Sequence, residues 1–337
     1  MTLLSPRQRP LALALAALVL VPLAGCDTLS GPDYEDQLVV SAVLEVGEPL
    51  PTIRLGRTVP LGQPTNPSSA TVSGATVSVT LVGADGSAQA VVAYVSGLPG
   101  EYLPTEGDAV LPGRRYRLDV AAPGFDDVTG ETETPEAIAL AQAPPDEVVY
   151  RGAAAPFGPS FRVTASSTAE RQSVYLIGVR AEAPDDYEVV DRGDGTFGFQ
   201  RQFTPGRFGP TPDVQAVLEG VDCEPSGDGF TCDFFPDDLA EGNSPLLNEE
   251  TYVDNGDGTI TVTVPWLAVS FYGPHTFTLN ALDDALVDFI ATQAVQFNPT
   301  TLSPGEIPNV TSNLSGPAVG VFGSYAAVAV RSTISEG

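Results

Sequence analysis

Thr76-Val77-Ser78-Val79-Thr80-Leu81 is the stretch whose reading decides the fold. Its apolar residues fall at every second position, which sets one face of an extended strand on a core and turns the other outward. Asp85-Gly86 follows, a pair that tolerates the positive φ of a tight turn, and residues 91–95 return as the second arm of a hairpin. Arg115-Tyr116-Arg117-Leu118-Asp119-Val120 repeats the alternation. Residues 38–46 and 51–55 read as two more strands across the turn Gly47-Glu48-Pro49. About seven short strands in roughly 100 residues predict an antiparallel sandwich.

Gly74-Ala75-x-Val77, Gly100-Glu101-Tyr102, Gly113-x-x-Tyr116-x-Leu118-x-Val120 and Gly124-Phe125 follow one another in an order similar to bacterial immunoglobulin-like and carboxypeptidase-regulatory-like sandwiches. Such modules space, present or bind. The expected class is therefore mainly β, with this sandwich over residues 37–135. Residues 136–147, which contain Pro144-Pro145, read as a linker, and 148–337 as a second β-rich domain with one short helix. There Phe161, Val163 and Ala165 alternate with polar neighbours, and residues 173–179 read as a partner strand. Val190-Asp-Arg-Gly-Asp-Gly-Thr-Phe197 and Val253-Asp-Asn-Gly-Asp-Gly-Thr-Ile260 nearly repeat each other. A calcium loop of the EF-hand kind needs oxygens at alternate positions and a later Glu, which neither supplies, so both read as hairpin turns. The helix is expected near 281–295, capped by Asn280, with Asp283 in its first turn and Leu282, Leu286, Phe289 and Ile290 on one face. It is expected to cover an edge or end of the second sheet. Adjacent acids at Asp185-Asp186, Asp237-Asp238 and Asp283-Asp284 read as solvated surface.

The N-terminus carries a different message. Arg7 and Arg9 precede an unbroken Leu, Ala and Val run over residues 11–20, closed by Pro22, and small residues lead to Cys26. This is the layout of an export signal, and the run is shorter than the roughly 20 residues a spanning helix needs. Leu23-Ala24-Gly25-Cys26 resembles the bacterial lipobox, which implies removal of residues 1–25 and acylation of Cys26. Residues 26–36 would then be the lipidated cysteine and a polar tether. Each buried acyl methylene contributes about 0.8 kcal/mol, so several chains hold a protein on a membrane almost permanently. Cys223 and Cys232, an even pair around a Pro/Gly turn in an exported chain, read as a disulfide.

The formal net charge is −28, and loss of Arg7 and Arg9 takes the mature chain near −30. So acidic a surface repels nucleic acid, which is not an expected partner. All 15 cations are Arg, which removes Lys-based Schiff-base and phosphate chemistry, and the single His275 makes no multi-His metal site. No metal, cofactor or catalytic residue is assigned. The chain reads as a non-enzyme, with a carboxylate-pair hydrolase as the catalytic alternative.

The end of the chain carries the most specific resemblance. Phe297-Asn298-Pro299, then Pro308-Asn309-Val310-Thr311-Ser312-Asn313-Leu314, then Gly316-x-x-x-Gly320-Val321-Phe322-Gly323-Ser324-Tyr325 resembles the closing signature of a Bacteroidota lipoprotein family, domain of unknown function 4249. Ile53-Arg54-Leu55-x-Arg57-Thr58 with Pro60-Leu61 fits the same family's first half. The resemblance implies an outer-membrane or cell-surface lipoprotein of a kind often encoded beside TonB-dependent receptors. A membrane held through the lipid anchor and such a receptor, or another envelope protein, are thus the implied partners. Asn313, Gly316, Gly320 and Gly323 are expected to serve tight backbone packing at a turn. Two functional readings stand: an accessory or binding component, and a structural or adhesive surface module.

Overall fold

In the computed structural model, residues 35–60, 70–152, 157–168, 171–227, 229–232, 235–297 and 310–337 are described. The export signal, Cys26, Leu61, Asn298-Pro299 and Pro308-Asn309 lie outside them. Gln37–Thr58 and Thr65–Gly337 form one unit. Its first strands are β1 (Leu38–Glu45), β2 (Ile53–Arg57), β3 (Thr76–Val82), β4 (Ala88–Ser96), β5 (Glu101–Pro104), β6 (Arg115–Ala121) and β7 (Val128–Glu133). Then come β8 (Leu140–Gln142), β9 (Glu147–Val149), β10 (Phe157–Thr164), β11 (Ser167–Thr168), β12 (Arg171–Gln172) and β13 (Val174–Ala181). An insertion holds β14 (Asp186–Asp191), β15 (Phe197–Gln202), helix α1 (Pro212–Gly220), β16 (Cys223–Ser226) and β17 (Gly229–Cys232). The chain closes with β18 (Glu241–Asn243), β19 (Val253–Asp254), β20 (Thr259–Pro265), β21 (Gly273–Leu282), helix α2 (Asp284–Phe297) and β22 (Ala318–Ser335).

The period-two pattern sorts side chains as expected. In β1, Leu38, Val40, Ala42 and Leu44 are all buried, and they join Val77, Val79, Tyr102, Leu118 and Val120 in a first core. Each such side chain contributes roughly 1.5–3 kcal/mol relative to staying exposed. The hairpin at Asp85-Gly86 forms, with Ser87 donating its amide and hydroxyl to Asp85 Oδ1. The fold is mainly β and built of large, chiefly antiparallel sheets, and the described residues hold a second helix, α1, beside the expected one.

Pairing joins the two β-rich regions. One sheet runs β18-β13-β21-β22-β1-β2-β5-β4-β3-β6-β7, and its central join is parallel, β1 to β22, with Val40 opposite Gly320. A second core lies between β13, β21 and β22 on one side and β10 and β20 on the other, around Phe161, Tyr175, Ile177, Val262, Phe277 and Val330. The strand expected to pair with β10 therefore does not: β10 pairs with β20 and β8, while β13 pairs with β21 and β18. β10 and β13 meet through side chains across that core instead. Residues 136–147, read as a linker, carry β8 and the start of β9.

The helix also differs from its expected form. Asn280 belongs to β21, where its amide donates to the carbonyls of Leu176 and Thr278. Asp283 is the cap, its Oδ1 accepting from the amide of Leu286 at 2.8 Å. The alternation Phe277, Leu279, Ala281 carries the strand past Asn280, so the helix can start only after Leu282. Leu286, Phe289 and Ile290 pack with Val43, Leu176, Val321 and Tyr325, so α2 covers a face of the large sheet, not its edge.

Gly320 sits inside β22 at φ +114°, and a Cβ there would lie 1.9 Å from the carbonyl oxygen of Val40. Gly316, at φ +73°, has only Asp127 O at 3.9 Å. Gly320→Ala is expected to destabilise by about 3 kcal/mol or more. Gly316→Ala should lose about 1 kcal/mol, from φ alone. Urea unfolding of the two variants checks the difference; equal losses would contradict it.

Candidate functional site

The signature residues gather at the corner where α2, β7 and β22 meet. Asn313 donates its amide to the carbonyls of Glu131 (2.8 Å) and Phe322 (2.7 Å), and accepts from the amide of Phe322 (3.1 Å). It thus clamps the segment before β22 onto β7. Gly130 of β7 faces Leu314 and Phe322, where a Cβ would lie 2.9 Å from Leu314 Cδ2. Gly323 lies within β22 against Leu286, at 3.0 Å for a built Cβ. The glycines 320 and 323 serve close packing in the strand itself, not at the turn expected from the sequence.

Beneath this corner Asp283 is buried, although an acid beside Asp284 is expected at the solvated surface. Thr132 Oγ1 donates to its Oδ2, Thr132 and Ser324 share a hydroxyl hydrogen bond of 2.8 Å, and the Asp283 amide donates to Ser324 O at 3.0 Å. Burial pushes the carboxyl up to about 6, against the pull of these hydrogen bonds. The signal for this role was in the sequence: an Asp three residues before Leu286 is an N-cap spacing. Asp185 is also buried, and its carboxylate pairs with Arg201. Its neighbour Asp186 is half-exposed and pairs with Arg207 at 3.7 Å.

The two near-repeats fold alike. Asp191 accepts from the amide of Gly193, and Asp194 from the amide and hydroxyl of Thr196. Asp254 and Asp257 do the same toward Gly256 and Thr259. Both are hairpin turns, closing β14–β15 and β19–β20. His275 is buried in β21, its Nδ1 2.9 Å from Gly273 O, and burial lowers its pKa. Cys223 and Cys232 sit directly opposite each other in β16 and β17 and are joined by a disulfide, as the sequence reading has it. Among the described residues, no group of three or more His, Cys, Asp or Glu is placed to hold a metal ion.

An apolar cavity of about 290 Å³ lies in the first sandwich. Val79 and Leu81 of β3, Val92 of β4 and Tyr116 of β6 form its floor, Leu111 part of its rim, and Asp108 is its charged residue. Tyr116 Oη accepts from the Leu111 amide at 2.9 Å, which fixes the rim, and burial raises the pKa of the phenol. Such a space accepts an apolar group of a few carbons. Periodicity identified its floor, whereas the turn of residues 105–114 that walls it has no pattern of its own.

A family model described as a domain of unknown function, DUF4249, matches residues 28–331. No curated protein matches. Among solved structures, the Salmonella alpha-2-macroglobulin reacted with methylamine is 13% identical over 90% of this chain and 15% of that one, with a TM-score of 0.21. Trypsin-activated alpha-2-macroglobulin from Escherichia coli is 11% identical over 75% of this chain and 15% of that one, at 0.19. A chimeric titin Z1Z2-Z1Z2 tandem is 11% identical over 91% of this chain and all of that one, at 0.16. The chain thus spans about one seventh of the length of the two macroglobulins.

Two outcomes follow from the site. Asp283 holds its proton more tightly folded than unfolded, so the stability it carries is present below pH ~4 and lost as pH rises to ~6, about 3 kcal/mol in all. Asp283→Asn keeps the cap acceptor without the charge. The unfolding free energy of the wild type relative to this variant should fall by about that amount from pH ~4 to pH ~7.5, measured by urea titration; a flat difference would refute the assignment. In the insertion, Cys223→Ser/Cys232→Ser should lower local stability by about 2–3 kcal/mol, seen as faster amide exchange at Phe230 and Thr231 with β1 unchanged.

Proposed function

The chain belongs to the DUF4249 family, a domain of unknown function, and from that premise we propose that it is a cell-envelope lipoprotein anchored through Cys26. Its body then serves as an accessory, binding component at the outer membrane beside a TonB-dependent receptor or another envelope protein. The observation that carries the reading is Leu23-Ala24-Gly25-Cys26 behind a cationic end and an apolar run. No helix among the described residues is long and apolar enough to cross a membrane, and an acyl anchor supplies attachment without one. The apolar cavity under Leu111 favours a binding role over a plain spacer, since a spacer needs no unfilled space in its sandwich.

Mass spectrometry of the membrane-extracted protein should find residue 26 as the new N-terminus carrying acyl chains. Cys26→Ser should abolish metabolic labelling with palmitate and move the protein out of the membrane fraction. An unmodified Cys26 thiol would end the proposal. For the accessory role, mild-detergent extraction of the acylated protein should co-purify a TonB-dependent receptor in stoichiometric amount; its absence would leave the structural or adhesive reading.

A further inference from the structure

The insertion at residues 182–240 has a face the lipoprotein reading does not use. In its sheet β14-β15-β16-β17, Phe197 stands opposite Cys223 and Asp191, Val189 opposite Phe199, and Pro225 opposite Phe230. Directly opposed residues share a side of the sheet. Phe197 and Phe230 pack with ring centroids 5.1 Å apart and planes tilted by 46°, and Phe235 meets Phe199 edge-on at 6.2 Å. This cluster is not enclosed: Phe230 and Phe235 remain 37% and 46% exposed. Every exposed phenylalanine among the described residues (203, 208, 230 and 235) lies in this insertion, while Phe161, Phe271, Phe277 and Phe322 elsewhere are fully buried. Single exposed apolar residues are ordinary, but gathered aromatics on one face mark a contact surface.

Charge identifies the occupant. Residues 182–240 hold fourteen acids against three arginines, a net of −11. Each arginine is engaged, Arg192 with Asp222, Arg201 with Asp185 and Arg207 with Asp186, so none of the insertion's own cations is left to neutralise Asp191, which shares the side of Phe197, or Asp237, two residues after Phe235. A second copy would bring its own −11 against this surface, and anionic lipid would be repelled in the same way. We propose that the Phe197, Phe199, Phe230 and Phe235 face is a docking surface for a cationic segment of a partner protein, one bearing aliphatic side chains between its charges. Arginine and lysine stems lie on phenylalanine rings with their heads toward Asp191 and Asp237, and the interleaved aliphatics cover the apolar ground. The disulfide fixes the hairpin that presents Phe230. None of this depends on the anchor at Cys26.

The test uses the full chain in nonionic detergent and fluorescence anisotropy of a labelled peptide of about six Arg-Leu repeats, corrected for micelles alone. Arg-Ser and Glu-Leu peptides of equal length are the comparators. The Arg-Leu peptide should bind at least about tenfold tighter than either, and weaken as salt rises from about 50 to about 500 mM. Phe199→Ser/Phe235→Ser should reduce its affinity by about tenfold or more. Asp191→Lys/Asp237→Lys, which alters only exposed side chains, one of them opposite Phe197, should do the same and carries the test if the phenylalanine pair does not fold. Equal binding of the Arg-Ser peptide, or undiminished binding by the folded variants, would overturn the proposal. So would self-association of the wild type, read by sedimentation, in place of peptide binding, since that assigns the face to a second copy.

Discussion

The parallel pairing of β1 with β22 is the constraint on which the rest of the structure depends. It brings residues 280 positions apart into register, from Leu38 beside Ala318 to Glu45 beside Tyr325. Because successive side chains alternate and β22 is long, that strand contributes to three clusters in turn. Ala318 and Phe322 enter the first core, Val321 and Tyr325 the cluster under helix α2, and Ala326, Val330 and Ile334 the second core. Gly320 is what lets the two backbones approach, since any Cβ there would meet the Val40 carbonyl. Parallel strands distant in sequence are slow to find one another, because the entropy of closing the loop is lost before any contact forms.

A polar corner locks this arrangement. Asp283 caps α2, receives the Thr132 hydroxyl from β7 and holds Ser324 of β22 through its amide, so three elements meet at one buried carboxyl. A buried polar group is costly unless its partners are all in place, which makes such a network sensitive to geometry. Asn313 adds a second clamp on the same strands. The residues that carry the family resemblance at the end of the chain are therefore largely fold-determining, and their chemistry is that of main-chain satisfaction.

The insertion follows a different logic. Its small sheet cannot enclose its own phenylalanines, and a hairpin of two four-residue strands is marginal alone. The Cys223–Cys232 bond restrains that hairpin by limiting the unfolded chain. Around it the acids keep an aromatic surface soluble and discourage pairing with a like-charged copy. In the first sandwich the cavity under Leu111 leaves a second apolar opening, walled by a turn whose position Tyr116 fixes.

Local pattern determined much of this protein. Alternation in residues 38–46, 76–82 and 115–121 made strands, Asp-Gly pairs made hairpin turns at 85–86, 194–195 and 257–258, and two cysteines around a Pro/Gly turn made a disulfide. The phenylalanines at 197 and 199 were equally visible, alternating with Gly198 and Gln200, but nothing local says whether such a face is covered. Tertiary structure decided which strands pair: β10 and β13 are near neighbours in sequence, yet the two lie in different sheets across a core. It also decided where the helix begins and that Asp283 and Asp185 are buried, because an acid next to another acid looks solvated until distant strands close over it. The reason is range. Period and turn chemistry are fixed by a residue's near neighbours, whereas pairing, burial and proton affinity are set by groups that the chain brings together from far apart.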